Sequence, residues 1–253
     1  MRKIVLAMSV SVDGFFEGPG RELDWHLVDD ELHQHFNDEL RSMSAFLDGR
    51  VSYELMAGYW PTADAAPGAS GPMAEFAGIW REMPKLVFSR TLERAEWNTT
   101  IRREVVPEEI EALKRQPGGD MSLGGADLAA TFMRHDLIDA YHLYVHPVLL
   151  GRGRPLFPDS ASRTALVPAG SRTFGNGVVL LRYTRRPPRT SCGTLPRPES
   201  SSRATDTDRL RARDGRQRRV DGRGRGPGVR PAACPAASRA ARPAGTGRRP
   251  RGR

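Results

Sequence analysis

Cysteine is almost missing from this sequence. The 253 residues include two, Cys192 and Cys234, so residues 1–185 offer no disulfide and no cysteine ligand for a metal. Long apolar runs are missing too, since a membrane-spanning helix needs about 20 such residues. The run from Ile4 to Met8 is too short for a signal peptide and leads into Asp13 and Gly14 without a cleavage site. We therefore expect a cytoplasmic protein with no membrane segment and no metal centre.

Residues 186–253 contain no aromatic residue and no lysine, and consist largely of Arg, Pro, Gly, Ala and Ser. Such a segment cannot bury enough apolar surface to offset the cost of ordering its backbone, about 1–2 kcal/mol per residue. We predict a disordered tail. It carries 19 arginines and a net charge of +14, whereas residues 1–185 carry a net charge of −5. Such a tail can bind nucleic acid. The interpretation we favour is a non-native extension, such as a shifted reading frame in a GC-rich gene.

The sequence also lacks the motif G-x-G-x-x-G, which disfavours a Rossmann dinucleotide domain. It has instead two Gly-containing segments, residues 47–54 and 121–128. Each reads as a short apolar strand, a turn with glycine and the first turn of a helix. That geometry presents free backbone N–H groups and the positive end of a helix dipole. Two such ends at one crevice would hold a ligand with several phosphates.

Strand and helix patterns alternate through residues 1–185 and end in strands. The apolar run after Lys3 predicts a central strand covered on both faces, and helices are predicted over 29–42, 51–56, 73–81, 107–116 and 126–133. Two alternating segments separated by Phe174–Asn176 predict a closing hairpin. The fold class is therefore α/β, a three-layer αβα domain whose central sheet is mostly parallel with an antiparallel C-terminal edge.

Five motifs in this order resemble the dihydrofolate reductase-like superfamily, and most closely the branch of the reductase domain of bacterial riboflavin biosynthesis. They are Ser11–Gly14, Leu47–Glu54, Lys85–Arg90, Ser122–Ala126 and His146–Phe157. Each motif alone is weak, but five in order at strand ends are specific to the superfamily. They are not specific to a substrate.

The resemblance implies NADPH as the hydride donor and places the coenzyme by position. Gly49, Arg50 and Ser52 would lie at its phosphates, and Ser89 and Arg90 near the adenosine ribose. Paired arginines bind a 2′-phosphate well and so separate NADPH from NADH. The remaining coenzyme-binding residues implied are those of the second segment, namely Gly124, Gly125, Ala126 and Leu128.

The resemblance implies a substrate site around Asp13, Trp25, Asp30 and Tyr53. Asp13 ends the first strand where the nicotinamide should lie. Trp25 and Asp30 have a spacing similar to that of the folate enzyme's tryptophan and helix carboxylate. A half-buried carboxyl there would have a raised pKa suited to proton donation, so Asp30 and Asp13 are the catalytic candidates. Asp30 can equally be a helix N-cap or first-turn acid. Asp29 is the alternative candidate for the catalytic carboxylate at the start of this helix.

Together these observations predict an NADPH-dependent reductase that acts on a small heterocycle, similar to 5-amino-6-(5-phosphoribosylamino)uracil reductase. A dihydrofolate reductase is the first alternative, although the segment after Trp25 lacks the folate enzyme's proline framing. A non-catalytic protein that binds nucleotide, or binds nucleic acid through its Arg-rich tail, is the second. The resemblance also implies a homodimer.

Overall fold

The computed structural model describes residues 1–65, 69, 71–157 and 163–186. The predicted tail, residues 186–253, lies outside these ranges apart from Arg186. Within them the strands, in chain order, are β1 (Ile4–Ser11), β2 (Phe15–Glu17), β3 (Met43–Gly49), β4 (Lys85–Phe88), β5 (Thr99–Arg102), β6 (Asp120–Leu123), β7 (Ala140–His146), β8 (Arg154–Pro155), β9 (Leu166–Thr173) and β10 (Val179–Arg185).

The helices of the same residues begin and end close to the predicted positions. They are α1 (Asp30–Arg41), α2 (Arg50–Ala57), α3 (Gly71–Glu82), α4 (Pro107–Arg115) and α5 (Ala126–Arg134), with a short 3₁₀ helix at Trp60–Ala65. Among the described residues no helix is both long and apolar enough to cross a membrane.

The main sheet has the strand order β5-β4-β3-β6-β1-β7-β10-β9. Its first six strands run parallel, and β10 pairs antiparallel with both β7 and β9. The predicted α/β class, mostly parallel sheet and antiparallel C-terminal edge are therefore confirmed. The sequence reading missed a second, small sheet, in which β2 pairs with β8.

Helices cover both faces of the sheet, which makes three layers. Helices α4 and α5 pack on one face, where Leu6, Leu47 and Leu123 are fully buried. Helices α1 and α3 cover the other face. Because side chains alternate along a strand, the residues directly before and after each of these leucines on its own strand point toward α1 and α3. Several of these are polar, in contrast to the opposite face, and this asymmetry sets the position of the candidate site.

Candidate active site

The two Gly-containing turns lie side by side because their strands are neighbours. Strands β3 and β6 pair in parallel with Leu47 opposite Leu123, and each is followed within two residues by a helix. Gly49 is the N-cap of α2 and Gly125 the N-cap of α5, and neither caps its helix with a side chain. The first-turn amides of both helices therefore emerge at the same edge of the sheet without a capping acceptor.

The contact between the turns requires glycine on the β6 side. The amide of Gly124 donates a 3.0 Å hydrogen bond to the Leu47 carbonyl. A Cβ on Gly124 would lie 2.6 Å from Asp48 Oδ1, and one on Gly125 would lie 2.5 Å from Ser52 Oγ. Gly125 also has φ of +83°, which favours glycine. The absent side chains leave a cradle of backbone N–H groups open to a ligand.

A cavity of about 770 Å³ lies over these turns. The structure brings all nine of the expected coenzyme-binding residues to its lining, and they are Gly49, Arg50, Ser52, Ser89, Arg90, Gly124, Gly125, Ala126 and Leu128. A cavity of this size and polarity can hold an extended ligand of nucleotide type.

Arginines surround the cavity in two different ways. Arg50 pairs with Glu54 at 2.8 Å, and both side chains are nearly half exposed, so this pair is weak and can yield to a ligand. Arg90 is exposed. Arg103 instead donates to the carbonyls of the loop after β4, with the shortest bond, 2.8 Å, to Leu92. Arg50 and Arg90 are thus available to an anion, whereas Arg103 shapes the loop.

Arg154 of β8 bridges the mouth of the same cavity. It donates to Glu17 at 2.8 Å and to Asp127 at 2.7 Å, and its guanidinium lies 5.1 Å from the centre of the Phe16 ring. Since Glu17 is on β2 and Asp127 is in the first turn of α5, Arg154 connects the small sheet to the helix end at the coenzyme cradle.

A second, smaller chamber of about 190 Å³ extends beneath α1 and α3. It shares five wall residues with the larger cavity, so the two spaces adjoin, and these are Ala7, Met8, Ser9, Phe46 and Ser122. Phe36 and Phe76 supply further aromatic walls, and Glu39 and Tyr144 supply polar groups. Flat rings with polar edges match such a lining.

Glu39 is the carboxylate of α1 that faces this chamber. His142 lies 2.9 Å from its Oε2, and Arg182 donates to its Oε1 at 2.8 Å. The hydrogen bond from His142, together with Arg182, lowers the pKa of Glu39 to about 2 although burial opposes the shift. Glu39 is therefore ionised at neutral pH and can accept hydrogen bonds but cannot supply a proton.

This ion pair network predicts a pH-dependent effect of Glu39→Gln. We expect the free energy of unfolding at pH 7 to fall by about 1–2 kcal/mol, which allows for solvent screening. Since folding lowers the pKa, the stabilisation is present above pH 4.5 and is lost as the pH falls toward 2. Urea unfolding at pH 7 and pH 3 should show the difference between wild type and variant shrinking by more than half.

Glu31→Gln is the matched control, because Glu31 is also on α1 and pairs with an arginine, Arg172, but is about half exposed. We expect a smaller loss of stability in this variant. A Glu39→Gln effect of the same size at both pH values would contradict the assignment of the ionised network.

The structure does not place the two catalytic candidates in the cavity lining. Asp13 is exposed and accepts hydrogen bonds from the Ser11 hydroxyl and from the amides of Leu150 and Gly151. These hydrogen bonds lower the pKa of Asp13, and the bond from Ser11 has the largest effect. A proton donor at neutral pH needs a raised pKa instead. Asp30 is exposed as the first residue of α1. The geometry does not support catalysis by either residue.

The structure gives Asp29 a capping position at the start of α1. Asp29 is the N-cap, and its Oδ1 accepts the amide of Leu32 at 2.9 Å. Two adjacent aspartates are therefore explained by the helix end, where an acceptor and negative charge both stabilise the first turn.

Trp25 and Tyr53 also lie outside the cavity lining. Trp25 packs edge-on against His26, with ring centres 4.2 Å apart, and it is His26 that reaches the cavity. Tyr53 is buried, and its hydroxyl donates to the carbonyl of Glu96 and accepts from the amide of the same residue. Tyr53 thus anchors the segment before β5, and a direct substrate contact is not supported for either aromatic residue.

Among the polar residues of the two cavities that sequence reasoning did not name as site residues are His26, Glu39 and Asp48. A signal existed for Asp48, since a charged residue that directly follows Phe46 and Leu47 in an apolar strand is unusual. Burial lowers the pKa of His26 to about 4, so its imidazole is neutral at pH 7. Glu39 gave no local signal, because its partners lie more than 100 residues away.

The chain is similar to proteins of one known family. The model of the RibD C-terminal domain family matches residues 2–180. The uncharacterized protein YyaP of Bacillus subtilis (strain 168) is 37% identical over 186 residues, which are 72% of this chain and 94% of YyaP.

Two solved structures share the fold. A protein assigned by name to riboflavin biosynthesis, from Shewanella sp. PV-4, has a TM-score of 0.57 at 20% identity, over 74% of this chain and 99% of its own. A pyrimidine reductase-like protein from Corynebacterium diphtheriae has a TM-score of 0.53 at 14% identity, over 73% of this chain and 92% of its own.

Proposed function

The chain belongs to the RibD C-terminal domain family, and on this premise we propose that it is an NADPH-dependent reductase of a small heterocyclic substrate. The observation that carries the proposal is the convergence of two helix N-termini without capping side chains, at Gly49 and Gly125, on one cavity. Anionic groups bind at such helix ends through backbone N–H groups and the helix dipole.

The residues of this cavity fit a phosphorylated dinucleotide. The cradle at Gly124 and Gly125 is open only because both side chains are absent, and the amides of α2 and α5 can receive the two phosphates of the bridge. Arg50 and Arg90 line the same cavity, and two guanidinium groups can bind a 2′-phosphate, which would favour NADPH over NADH. NADPH, when bound, supplies the hydride.

The smaller chamber is the proposed position of the substrate ring. Phe36, Phe46 and Phe76 can enclose a flat ring, and Ser9 and Ser122 can bond its polar edge. The names of the two structural neighbours support a pyrimidine of the riboflavin pathway as substrate. We therefore propose reduction of 5-amino-6-(5-phosphoribosylamino)uracil or a related compound. Hydride from NADPH reaches the carbon of a C=N or C=O bond of the heterocycle or of its sugar-derived side chain, and a proton from solvent reaches the nitrogen or oxygen.

An assay of NADPH oxidation by absorbance tests this proposal. The full chain should oxidise NADPH in the presence of the riboflavin-pathway aminopyrimidine and should do so at least tenfold more slowly with dihydrofolate. A preference for dihydrofolate would support the alternative of a dihydrofolate reductase. Binding of NADPH without oxidation by any member of a panel of heterocycles would support a non-catalytic nucleotide-binding protein.

We also propose that residues 1–185 are the complete reductase unit and that the protein acts in the cytoplasm as a homodimer. A chain that ends at Arg186, assayed in parallel, should retain coenzyme binding and activity. Salt-sensitive binding of polyanions that disappears in the shortened chain would instead indicate a nucleic-acid role for the Arg-rich segment.

A further inference from the structure

Asp48 is an acidic residue beside the coenzyme cradle. It is the residue before the N-cap of α2, its side chain faces α1 and α3, and it lines the larger cavity with 8% of its surface exposed. Its Oδ1 lies 2.6 Å from the point where a Cβ on Gly124 would be. The carboxyl group is therefore in direct contact with the backbone of the Gly124 turn.

The carboxyl group of Asp48 has no hydrogen bond and no ion pair within 4 Å among the described residues. The cationic group that acts on the pKa of this carboxyl group is Lys85 of β4. The Lys85 ammonium donates instead to the carbonyls of Met83 and Trp97, both at 2.8 Å, and lies 4.3 Å from the Trp80 ring. Burial raises the pKa of Asp48 to about 7, with Lys85 acting in the opposite direction.

The other charged groups of the cavity lie on several elements, and some of them form ion pairs. On α2, Arg50 pairs with Glu54. On β8, Arg154 pairs with Glu17 of β2 and Asp127 of α5. The remaining titratable or charged lining residues are Arg90, Arg103, Glu104, His26 and His135.

An ionised Asp48 would oppose the binding of a dinucleotide in this cradle. The same amides that attract phosphates lie beside the carboxylate, and like charges repel strongly where water is excluded. A neutral carboxyl removes this repulsion and gains an O–H donor.

We propose that Asp48 takes up one proton from solvent as the coenzyme binds, and that its neutral carboxyl then donates a hydrogen bond to an oxygen of the coenzyme. Asp48 is in this view a coenzyme-binding residue that makes the affinity dependent on pH. The inference rests on the proposed function, since it needs a dinucleotide in this cavity.

Calorimetric titration of the full chain with NADH tests the proposal without a substrate. NADH is used because it lacks the 2′-phosphate, a group that itself titrates near pH 6. Titrations at pH 6–8.5 in two buffers of different ionisation enthalpy count the protons exchanged on binding. We expect nearly one proton taken up per NADH at pH 8.5, very little at pH 6, and a Kd that rises by up to tenfold per pH unit above 7.

Asp48→Asn is the central variant, because the amide has the size of the carboxyl group and does not titrate. We expect it to abolish the proton uptake, to make the Kd independent of pH and to bind NADH at least tenfold more tightly than wild type at pH 8.5. Glu104→Gln and His135→Gln, which remove another acid and another histidine of the same lining, should retain wild-type uptake.

Two outcomes would overturn the inference: proton uptake that persists in Asp48→Asn, or a Kd of wild type that does not change with pH. Should Asp48→Asn fail to fold, carbon-13 NMR of the wild-type Asp48 carboxyl serves instead. Saturation with NADH should keep it protonated to pH 8.5, and an ionised group in the complex would refute the inference. Absence of binding by NADH and NADPH in every variant would refute the proposed function itself.

Discussion

Replacement of Gly124 by valine should weaken NADPH binding by at least 100-fold. The new Cβ would lie 2.6 Å from Asp48 Oδ1, so the Asp48 side chain or the turn must shift. The valine side chain would also fill the space that glycine leaves open over the amides. Loss of two hydrogen bonds to a charged ligand, about 1.5–3 kcal/mol each, accounts for the factor of 100, which corresponds to about 2.8 kcal/mol. Quenching of tryptophan fluorescence by NADPH gives the Kd.

Gly78→Ala provides the matched control for this substitution. Gly78 is in α3, and a Cβ there would meet only Arg81 Nη2 at 4.0 Å. We expect a Kd equal to that of wild type. A Gly124→Val protein that is folded by circular dichroism and binds NADPH within threefold of wild type would show that this turn does not hold the coenzyme.

Removal of both Arg50 and Arg90 should reverse the preference between coenzymes. Each guanidinium can form charge-assisted hydrogen bonds with a 2′-phosphate, and we expect the double alanine variant to bind NADPH about 100-fold more weakly while its Kd for NADH changes less than threefold. Parallel calorimetric titrations with both coenzymes measure the two effects.

Arg172→Ala controls for a general loss of positive charge, because Arg172 pairs with Glu31 away from the cavity. It should leave both Kd values unchanged. An equal loss for NADPH and NADH in the double variant would mean that the two arginines contact the shared part of the coenzyme and that specificity arises elsewhere.

The sequence predicted the fold well because its signals are local. Apolar runs such as Ile4–Met8, glycines before helices, and Pro107 at the first position of α4 each fix an element within a few residues. The order of strands and helices then restricts the topology to a parallel sheet with a closing hairpin. The family resemblance followed from the same motifs and is confirmed.

The coenzyme-binding side of the candidate site could be predicted from the sequence for the same reason. Its residues lie in three short segments that follow β3, β4 and β6, and these strands are neighbours in the sheet. Whether they bind NADPH stays a prediction. The convergence of two helix ends was expected from the Gly-containing segments, and the individual residues from the family resemblance.

The substrate side of the site was harder to predict from the sequence, because residues that are distant in the chain form its environment. The sequence reading required a carboxyl group with a raised pKa and chose Asp30, whereas burial creates that environment at Asp48. Helix α1 does contribute a carboxylate to the chamber, but it is Glu39, held by His142 and Arg182. Neither burial nor these pairings can be read from local periodicity.

Nuclear magnetic resonance of the backbone amides during titration with NADPH tests the central claim most directly. We predict large shift changes in two separate groups, the first turn of α2 after Gly49 and the first turn of α5 after Gly125. Absence of any change, or changes confined to residues away from both helix ends, would contradict the assignment of this cavity to the coenzyme.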